Sequence, residues 1–186
     1  KIASKDNVLS QLLFDMRSRE GYLYDHSYMT ACLSSFILKK LDWCTQSHIE
    51  KVCHAAIFHD ITLVSGELAM ISDLDTEAVK SLSPAEIKII KCHGVNANNL
   101  LIDTPGFSSD LENILLAHHE LPDGSGFPRK LLGNQIRPLV CVFILAHEFV
   151  RQLYVHNFDE KAHKDILIYL FNNYNSGNFK DIFDAL

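Results

Sequence analysis

The stretch 83-SPAEIKIIKCHGVNANNLL-101 combines a complete helix start with apolar residues at helical spacing. Ser83 is placed to cap the helix, Pro84 suits the first helical position, and Glu86 closes a capping box. A single histidine, His93, lies within the apolar pattern. The stretch therefore predicts a long helix that carries an imidazole toward the interior.

Most other periodic segments also show apolar residues at i, i+3, i+4 and i+7, and strand patterns are nearly absent. We therefore predict an all-α helical bundle. A capping-box spacing of Ser47 and Glu50 marks the start of one of its helices. Further helices are predicted over 6–19, 25–41, 47–59, 108–119, 138–155, 159–174 and 179–186, with a short helix within 62–82 and a loop over 121–137.

The length of 186 residues suits one domain with a full core. Because the chain begins with Lys1 rather than Met, we expect the helix in 1–20 to connect to a regulatory region upstream. The segment 156–186 is expected to supply C-terminal helices of the same domain.

Composition argues against several classes of function. The formal net charge is −6 without a dense Lys/Arg stripe, which disfavours binding to duplex nucleic acid. We expect no membrane span, since no continuous apolar run approaches about 18 residues. The five cysteines show no paired spacing and no secretory leader is visible, so a cytoplasmic location is expected.

The stretch 54-HAAIFHD-60 places a carboxylate next to apolar residues. Burying Asp60 without a partner would be costly, so something must compensate its charge. Two explanations remain open: an internal hydrogen-bonded pair of His59 with Asp60, or a metal ion that both residues bind.

Histidines on other apolar helices favour the metal. A shared centre would satisfy several inward-facing imidazoles together, and imidazole with carboxylate suits iron, zinc, manganese or nickel. Adjacent residues on a helix point about 100° apart, so a neighbouring pair of histidines can converge only where a helix ends. The candidate residues are His26, His59, Asp60, His93, His118, His119 and His147.

Three features together resemble one known family: 59-HD-60, a lone His93 in a capped helix, and 118-HHELPDGSGFP-128. The chain is similar to the HD-GYP subgroup of the HD superfamily of metal-dependent phosphohydrolases, and the resemblance covers 26–186. Further matching landmarks are 26-HS-27, 82-LSPAE-86, Gly133, Ile136, Ala146, Phe149 and 176-SGNFKDIFDAL-186.

The resemblance implies a helical bundle around two, sometimes three, metal ions. It implies hydrolysis of cyclic di-GMP, or a related cyclic dinucleotide, by a hydroxide that bridges two metals. The expected cofactors are two divalent ions, iron first, with manganese, zinc or nickel as alternatives. One metal would take His26, His59, Asp60 and His147, and the other Asp60, His93, His118 and His119.

Other residues receive roles on the same basis. The loop that contains 126-GFP-128 is a further candidate for docking a protein partner. Asp60 and Asp123 are expected to be catalytic, Gly124, Ser125 and Gly126 to contact substrate, and Glu120 and Glu148 to support the ligand imidazoles. Surface or structural roles are expected for His48, His54, His156 and His163.

The chain departs from the family pattern at four positions. His147 stands where the family has aspartate, and we prefer it to the adjacent Glu148 as the ligand. Leu63 replaces the lysine of the family's HDIGK, and Phe127 replaces the tyrosine of GYP. Tyr22 stands where three-metal members have glutamate, which favours two metals.

These departures leave three functions open. The first is a cyclic-dinucleotide phosphodiesterase. The second is a metal- and nucleotide-binding signalling module without turnover, which Leu63, Phe127 and His147 favour. The third is a hydrolase of another phosphate ester, as found elsewhere in the HD superfamily.

Overall fold

The computed structural model describes residues 5–18, 21–74, 76–183 and 185. In these ranges the chain forms helices, turns and loops, and an isolated bridge between Asp123 and Leu132 replaces any strand. The all-α prediction is confirmed. The helices are α1 (Lys5–Ser18), α2 (Tyr22–Leu38), α3 (Gln46–Phe58), α4 (Gly66–Ala69), α5 (Glu77–Lys80), α6 (Pro84–Leu101), α7 (Ser109–Ala117), α8 (Pro138–Val155), α9 (His163–Tyr174) and α10 (Lys180–Phe183).

Most predicted helices are present with shifted ends. Helix α2 begins at Tyr22 and ends at Leu38, earlier than predicted at both ends, and α7 ends at Ala117 rather than 119. Short 3-10 turns precede α9 and α10. The predicted helices at the two chain ends extend to residues 19, 184 and 186, which lie outside the described residues.

The predicted capping box is present at the start of α6 and absent at the start of α3. At α6 the predicted box is present: the Ser83 hydroxyl accepts a hydrogen bond from the Glu86 N–H at 3.3 Å, and the Glu86 carboxylate accepts from the Ser83 N–H at 2.8 Å. At α3 the predicted pair, Ser47 with Glu50, was wrong. Thr45 caps the helix, and His48 Nδ1 accepts a hydrogen bond from the Thr45 N–H at 3.3 Å. An imidazole therefore takes the acceptor position that glutamate usually holds in a capping box.

Helix α8 is the central element of the bundle. It packs against α2, α7 and α9, and 72% of its residues are buried. By length and apolar composition α8 could cross a membrane, which the sequence analysis did not anticipate, but its burial identifies it as the core helix of the bundle. Residues of α9 and α10, among them Ile166 and Ile182, belong to the same apolar cluster as those of α2 and α3.

Candidate metal centre

Histidines and one aspartate converge from five regions of the bundle. Within the described residues they form two groups, and inside each group the potential ligand atoms lie within 4.8 Å of one another. The groups share Asp60, as the bridging arrangement requires. The first group is His26, His59, Asp60 and His147, and the second is Asp60, His93, His118 and His119.

Three of these imidazoles are oriented by the backbone of their own helix. The Nδ1 atoms of His59, His93 and His118 lie 2.9, 2.6 and 3.0 Å from the carbonyl oxygens three residues earlier in the chain. A carbonyl only accepts hydrogen bonds, so each Nδ1 must carry the proton. The Nε2 lone pair of each ring is therefore free for a metal.

Several of these unprotonated atoms lie close to one another, an arrangement that requires a cation between them. His93 Nε2 lies 2.8 Å from His118 Nε2, with no proton left for either atom by the tautomers just described. The Asp60 oxygens lie 3.2 Å from His59 Nε2 and 3.3 Å from His93 Nε2. Such contacts between acceptors are repulsive until a positive charge enters between them.

Unsatisfied polar atoms lead to the same conclusion. Buried polar atoms in proteins nearly always have a hydrogen-bond partner. Among the candidate ligands, partners are lacking for His26 Nδ1 and Nε2, His59 Nε2, both Asp60 oxygens, His119 Nδ1 and His147 Nε2. The residues present therefore fit metal ions, and an internal His–Asp pair alone does not account for them.

Burial keeps the imidazoles in the form that binds metal. It lowers the pKa of His26 to about 3 and holds the pKa values of His93, His118, His119 and His147 below their ordinary value. Burial opposes the charge on Asp60, but the neighbouring imidazoles of His59, His93 and His118 hold the pKa of this carboxyl below its usual range. Neutral imidazoles therefore surround an ionised carboxylate.

The adjacent histidines His118 and His119 reach one group because α7 ends immediately before them. His118 is the C-cap residue, so His119 leaves the helical path. The loop then folds back: the Phe127 N–H donates to the His119 carbonyl at 3.0 Å, and the Phe127 ring stacks on the His119 ring at 4.6 Å. The ring of Phe127 is thus buried as packing for a candidate ligand.

Glycine allows α6 to approach α7 at the centre. A Cβ atom on Gly94 would lie 2.3 Å from the Leu115 carbonyl oxygen, which is too close for any side chain. The contact places His93, one residue earlier, against His118. Gly94 was not among the predicted site residues, although a glycine directly after a histidine within an apolar helical pattern indicates close packing.

Helix α8 presents His147 to the centre and Glu148 away from it. His147 belongs to the first group, as preferred. The Glu148 carboxylate instead binds the Arg151 guanidinium at 2.6 Å and the Gln152 amide at 2.9 Å. Arg151 was not predicted as part of the site. Burial lowers the pKa of His26 most and His59 lowers it next, and the positive charge of Arg151 adds a smaller effect in the same direction.

Glu120 serves a different purpose from the one expected. Its buried carboxylate accepts hydrogen bonds at 2.7 Å from the N–H groups of Arg129 and Leu131. The expected partner was a ligand imidazole, so this expectation is corrected: Glu120 fastens the loop to the end of α7.

The loop residues expected to act on substrate lie outside the two groups. Asp123 Oδ1 accepts hydrogen bonds from the Ser125 N–H at 2.9 Å and the Ser125 hydroxyl at 2.7 Å, and both residues are exposed. Gly124 adopts φ 81°, and a Cβ on Gly126 would lie 2.2 Å from the Leu121 nitrogen. Their catalytic and binding roles remain predictions.

Tyr22 and Leu63, two of the positions that depart from the family pattern, lie together at one side of the first group. Leu63 is buried in an apolar cluster with Met16 and Leu23, against which Tyr22 also packs. The Tyr22 ring stacks on His26 at 4.6 Å. This side of the group is therefore apolar where the family pattern predicts a lysine and a carboxylate. The remaining histidines, His54, His156 and His163, are exposed.

The fold and the site define a helical-bundle protein with a buried histidine–aspartate centre arranged for two metal ions. The family model for the HD domain matches residues 7–164. The chain belongs to the HD domain family, and the expectation from 59-HD-60 is confirmed.

Two characterised proteins are similar to this chain. A cyclic di-GMP phosphodiesterase of Pseudomonas aeruginosa is 26% identical over 124 residues, which are 67% of this chain and 28% of that protein. A 3'3'-cGAMP-specific phosphodiesterase of Vibrio cholerae is 26% identical over 132 residues, 71% of this chain and 27% of that protein. The chain thus spans less than a third of the length of either relative.

Proposed function

We propose that this domain is a metal-dependent phosphodiesterase that hydrolyses cyclic di-GMP or a related cyclic dinucleotide. The observation that carries the proposal is the pair of buried ligand groups that share Asp60. The names of the two relatives support the substrate class. The wider protein would use an upstream region to regulate the domain in the cytoplasm.

The proposed ligand sets follow the two groups. His26, His59, Asp60 and His147 would hold one ion, and Asp60, His93, His118 and His119 the other. When bound, two divalent ions would supply positive charge for the phosphate and lower the pKa of a water molecule. Iron is the proposed native metal, with manganese, zinc and nickel as alternatives.

The donor set leaves much of that positive charge uncompensated. Asp60 is the anionic member of the two groups, and burial keeps the imidazoles of His26, His93, His118, His119 and His147 neutral. A site of this kind attracts an anionic phosphodiester strongly. The charge would offset the loss of the lysine at Leu63, since phosphoryl transfer depends on positioning and charge stabilisation.

The loop after α7 is proposed to position the substrate. Gly124, Ser125 and Gly126 would offer it backbone groups and a hydroxyl. Asp123 is proposed to act in catalysis as an ionised carboxylate that orients the substrate, because hydrogen bonds from Ser125 hold the pKa of its carboxyl below the usual value. A protein partner at this loop would meet exposed Pro128 and Arg129 rather than the buried Phe127 ring.

A second candidate function is nucleotide binding without turnover. The buried position of Leu63 favours it, because a lysine there would have supplied a phosphate contact and leucine cannot. Such a module would retain both metals and respond to the nucleotide by a change in conformation.

The test is to measure metal content and turnover on one anaerobically purified sample. We expect about two metal ions per chain, by elemental analysis, and release of linear dinucleotide or GMP from cyclic di-GMP, by chromatography. A protein with two bound metals that binds cyclic dinucleotides and leaves them intact would establish the second function instead. A substrate screen with simple phosphodiesters would detect activity on another ester.

A further inference from the structure

A cavity of about 240 Å³ lies where α7, the loop 121–137 and the start of α8 meet. Asn113 and Ala117 line it from α7, Arg129 from the loop and Val140 from α8. None of the seven candidate metal ligands contributes to its wall. The cavity is therefore a space separate from the metal centre.

The wall of this cavity carries positive charge. Two guanidinium groups line it, those of Arg129 and Arg137, and no carboxylate from the described part of the chain does. The chain as a whole has a formal net charge of −6, so two cations without an anion between them are unusual in this protein. The local potential favours an anionic ligand.

Both guanidinium groups keep most of their donors for a ligand. Within the described residues, the hydrogen bond of Arg129 uses its backbone N–H, which donates to Glu120, and leaves its side chain in solvent. The nearest carboxylate oxygen to Arg137 is Oδ1 of Asp110, at 3.7 Å, and Lys51 binds the other oxygen of Asp110 at 2.7 Å. Each arginine can therefore present two parallel N–H donors.

Neutral donors complete the wall. Gln135 Oε1 accepts a hydrogen bond from the Leu132 N–H at 2.9 Å, so the amide nitrogen is the end of Gln135 that a ligand can use. Helix α8 has no side-chain cap, and the N–H groups of Leu139 and Val140 in its first turn have no acceptor within the helix. Uncapped N–H groups at a helix start add to the attraction for an anion.

We propose that this cavity binds a phosphate group, either the free ion or the phosphate of a small phosphorylated molecule. A tetrahedral phosphate can accept hydrogen bonds from both arginines and from neutral donors at once, whereas a carboxylate has two oxygens to share among them. The volume exceeds that of one phosphate group and leaves room for a short organic part. The inference does not depend on the proposed function, because the cavity lies outside both ligand groups.

The position of the cavity links it to the end of α7. A phosphate that contacts both Arg129 and Arg137 would join the middle of the loop to the start of α8. The backbone of Arg129 is already bound to Glu120, the residue that follows His118 and His119. An anion here would therefore stabilise the segment that carries two candidate metal ligands.

The test is calorimetric titration of the metal-loaded protein with inorganic phosphate and with glycerol 3-phosphate, at constant ionic strength. We expect saturable binding of both probes. Arg129→Gln and Arg137→Gln should each raise the Kd about tenfold, the size of one hydrogen bond to a charged group. Metal content, by elemental analysis, should equal that of the parent in both variants, because neither arginine belongs to a ligand group.

Lys130→Gln is the matched control. It removes the same charge from the residue next to Arg129, and Lys130 is exposed and does not line the cavity. Its Kd should change less than about twofold, because solvent and salt screen a charge that makes no direct contact.

The outcomes decide the proposal. An equal loss of affinity in Lys130→Gln would show general attraction between charges and overturn the site. Unchanged affinity in both arginine variants would place the phosphate at the metals and overturn it as well, as would the lack of saturable binding up to about 10 mM. With the expected pattern in the variants, tighter binding of glycerol 3-phosphate would assign the site to a phosphorylated molecule, and tighter binding of inorganic phosphate to the free ion.

Discussion

Asp60 belongs to both ligand groups, so a change at this residue should affect both metals. For Asp60→Asn we expect metal content to fall by more than half, because the amide lacks the charge that two cations share. The metal-free variant should unfold at a lower temperature than the metal-free parent, since a carboxyl whose pKa is lowered in the fold stabilises the folded state while it is ionised.

Elemental analysis and thermal unfolding in chelator measure these two effects. Asp123→Asn is the control for metal content, because Asp123 lies in the exposed loop and outside both groups. Full metal occupancy in Asp60→Asn would contradict the bridging assignment.

His147 and Glu148 are neighbours with opposite expected roles. His147→Ala should lower metal content with a modest effect on metal-free stability. Glu148→Gln should keep metal content but lower the free energy of unfolding by about 3 kcal/mol, because it leaves the guanidinium of Arg151 without its ionic partner. Urea unfolding and elemental analysis of both variants measure the contrast, and the reverse pattern would move the ligand to Glu148.

The members of the two groups were easier to predict from the sequence than the residues that support them. His26 and His147 could be found because each interrupts an apolar helical face, where a lone polar group needs an explanation. Glu120 and Arg151 could not be placed, since their partners are distant backbone groups or depend on which way a helix is turned.

Among the elements, the contact of α6 with α7 tests how packing positions the ligands. Gly94→Ala would force a methyl group against the Leu115 carbonyl. We expect the free energy of unfolding to fall by about 2 kcal/mol from overpacking. Metal affinity should weaken as well, because His93 and His118 would move apart.

Thermal unfolding in chelator and metal titration measure the two effects. Val95→Ala is the matched control, since Val95 is the next residue along α6 and lies at the surface. Equal behaviour of the two variants would show that the close contact does not hold the ligands.

Helix identity was easier to predict than helix ends. The box at Ser83 was found because serine, proline and glutamate occupied the expected places. The start of α3 was missed because an imidazole at His48 took the acceptor role, which composition alone does not reveal. The stop of α7 before His118 was expected from the turn that follows, and the structure agrees.

For the whole molecule, the histidines make metal-free stability depend on pH. Five imidazoles have a pKa lowered in the folded state, so the unfolded chain binds protons first as the pH falls below about 6.5. Their contribution to the free energy of unfolding is complete above that pH and is lost as the pH falls toward the folded-state pKa, which is about 3 for His26. In that range each imidazole lowers the free energy of unfolding by up to about 1.4 kcal/mol per pH unit.

Urea unfolding of the chelated protein at pH 7.5, 6.5 and 5.5 measures this loss. His26→Gln should reduce the slope between the two lower values, whereas the exposed His54→Gln should leave it unchanged. Equal stability at pH 7.5 and 5.5 would show that the imidazoles are not buried as described. Bound metal should raise the stability but leave the profile at least as steep, because metal and protons compete for the same imidazole lone pairs.

The hydrogen bonds from three imidazoles to carbonyls of their own helices have a consequence for metal supply in the cell. The carbonyls of Ala56, Ile90 and Leu115 aim these rings through hydrogen bonds that do not depend on which ion is bound. A cage of mainly imidazole donors suits several neighbouring transition metals. The growth medium, more than the protein, would then decide which ion fills it, and iron-starved cells should yield the same fold carrying a substitute.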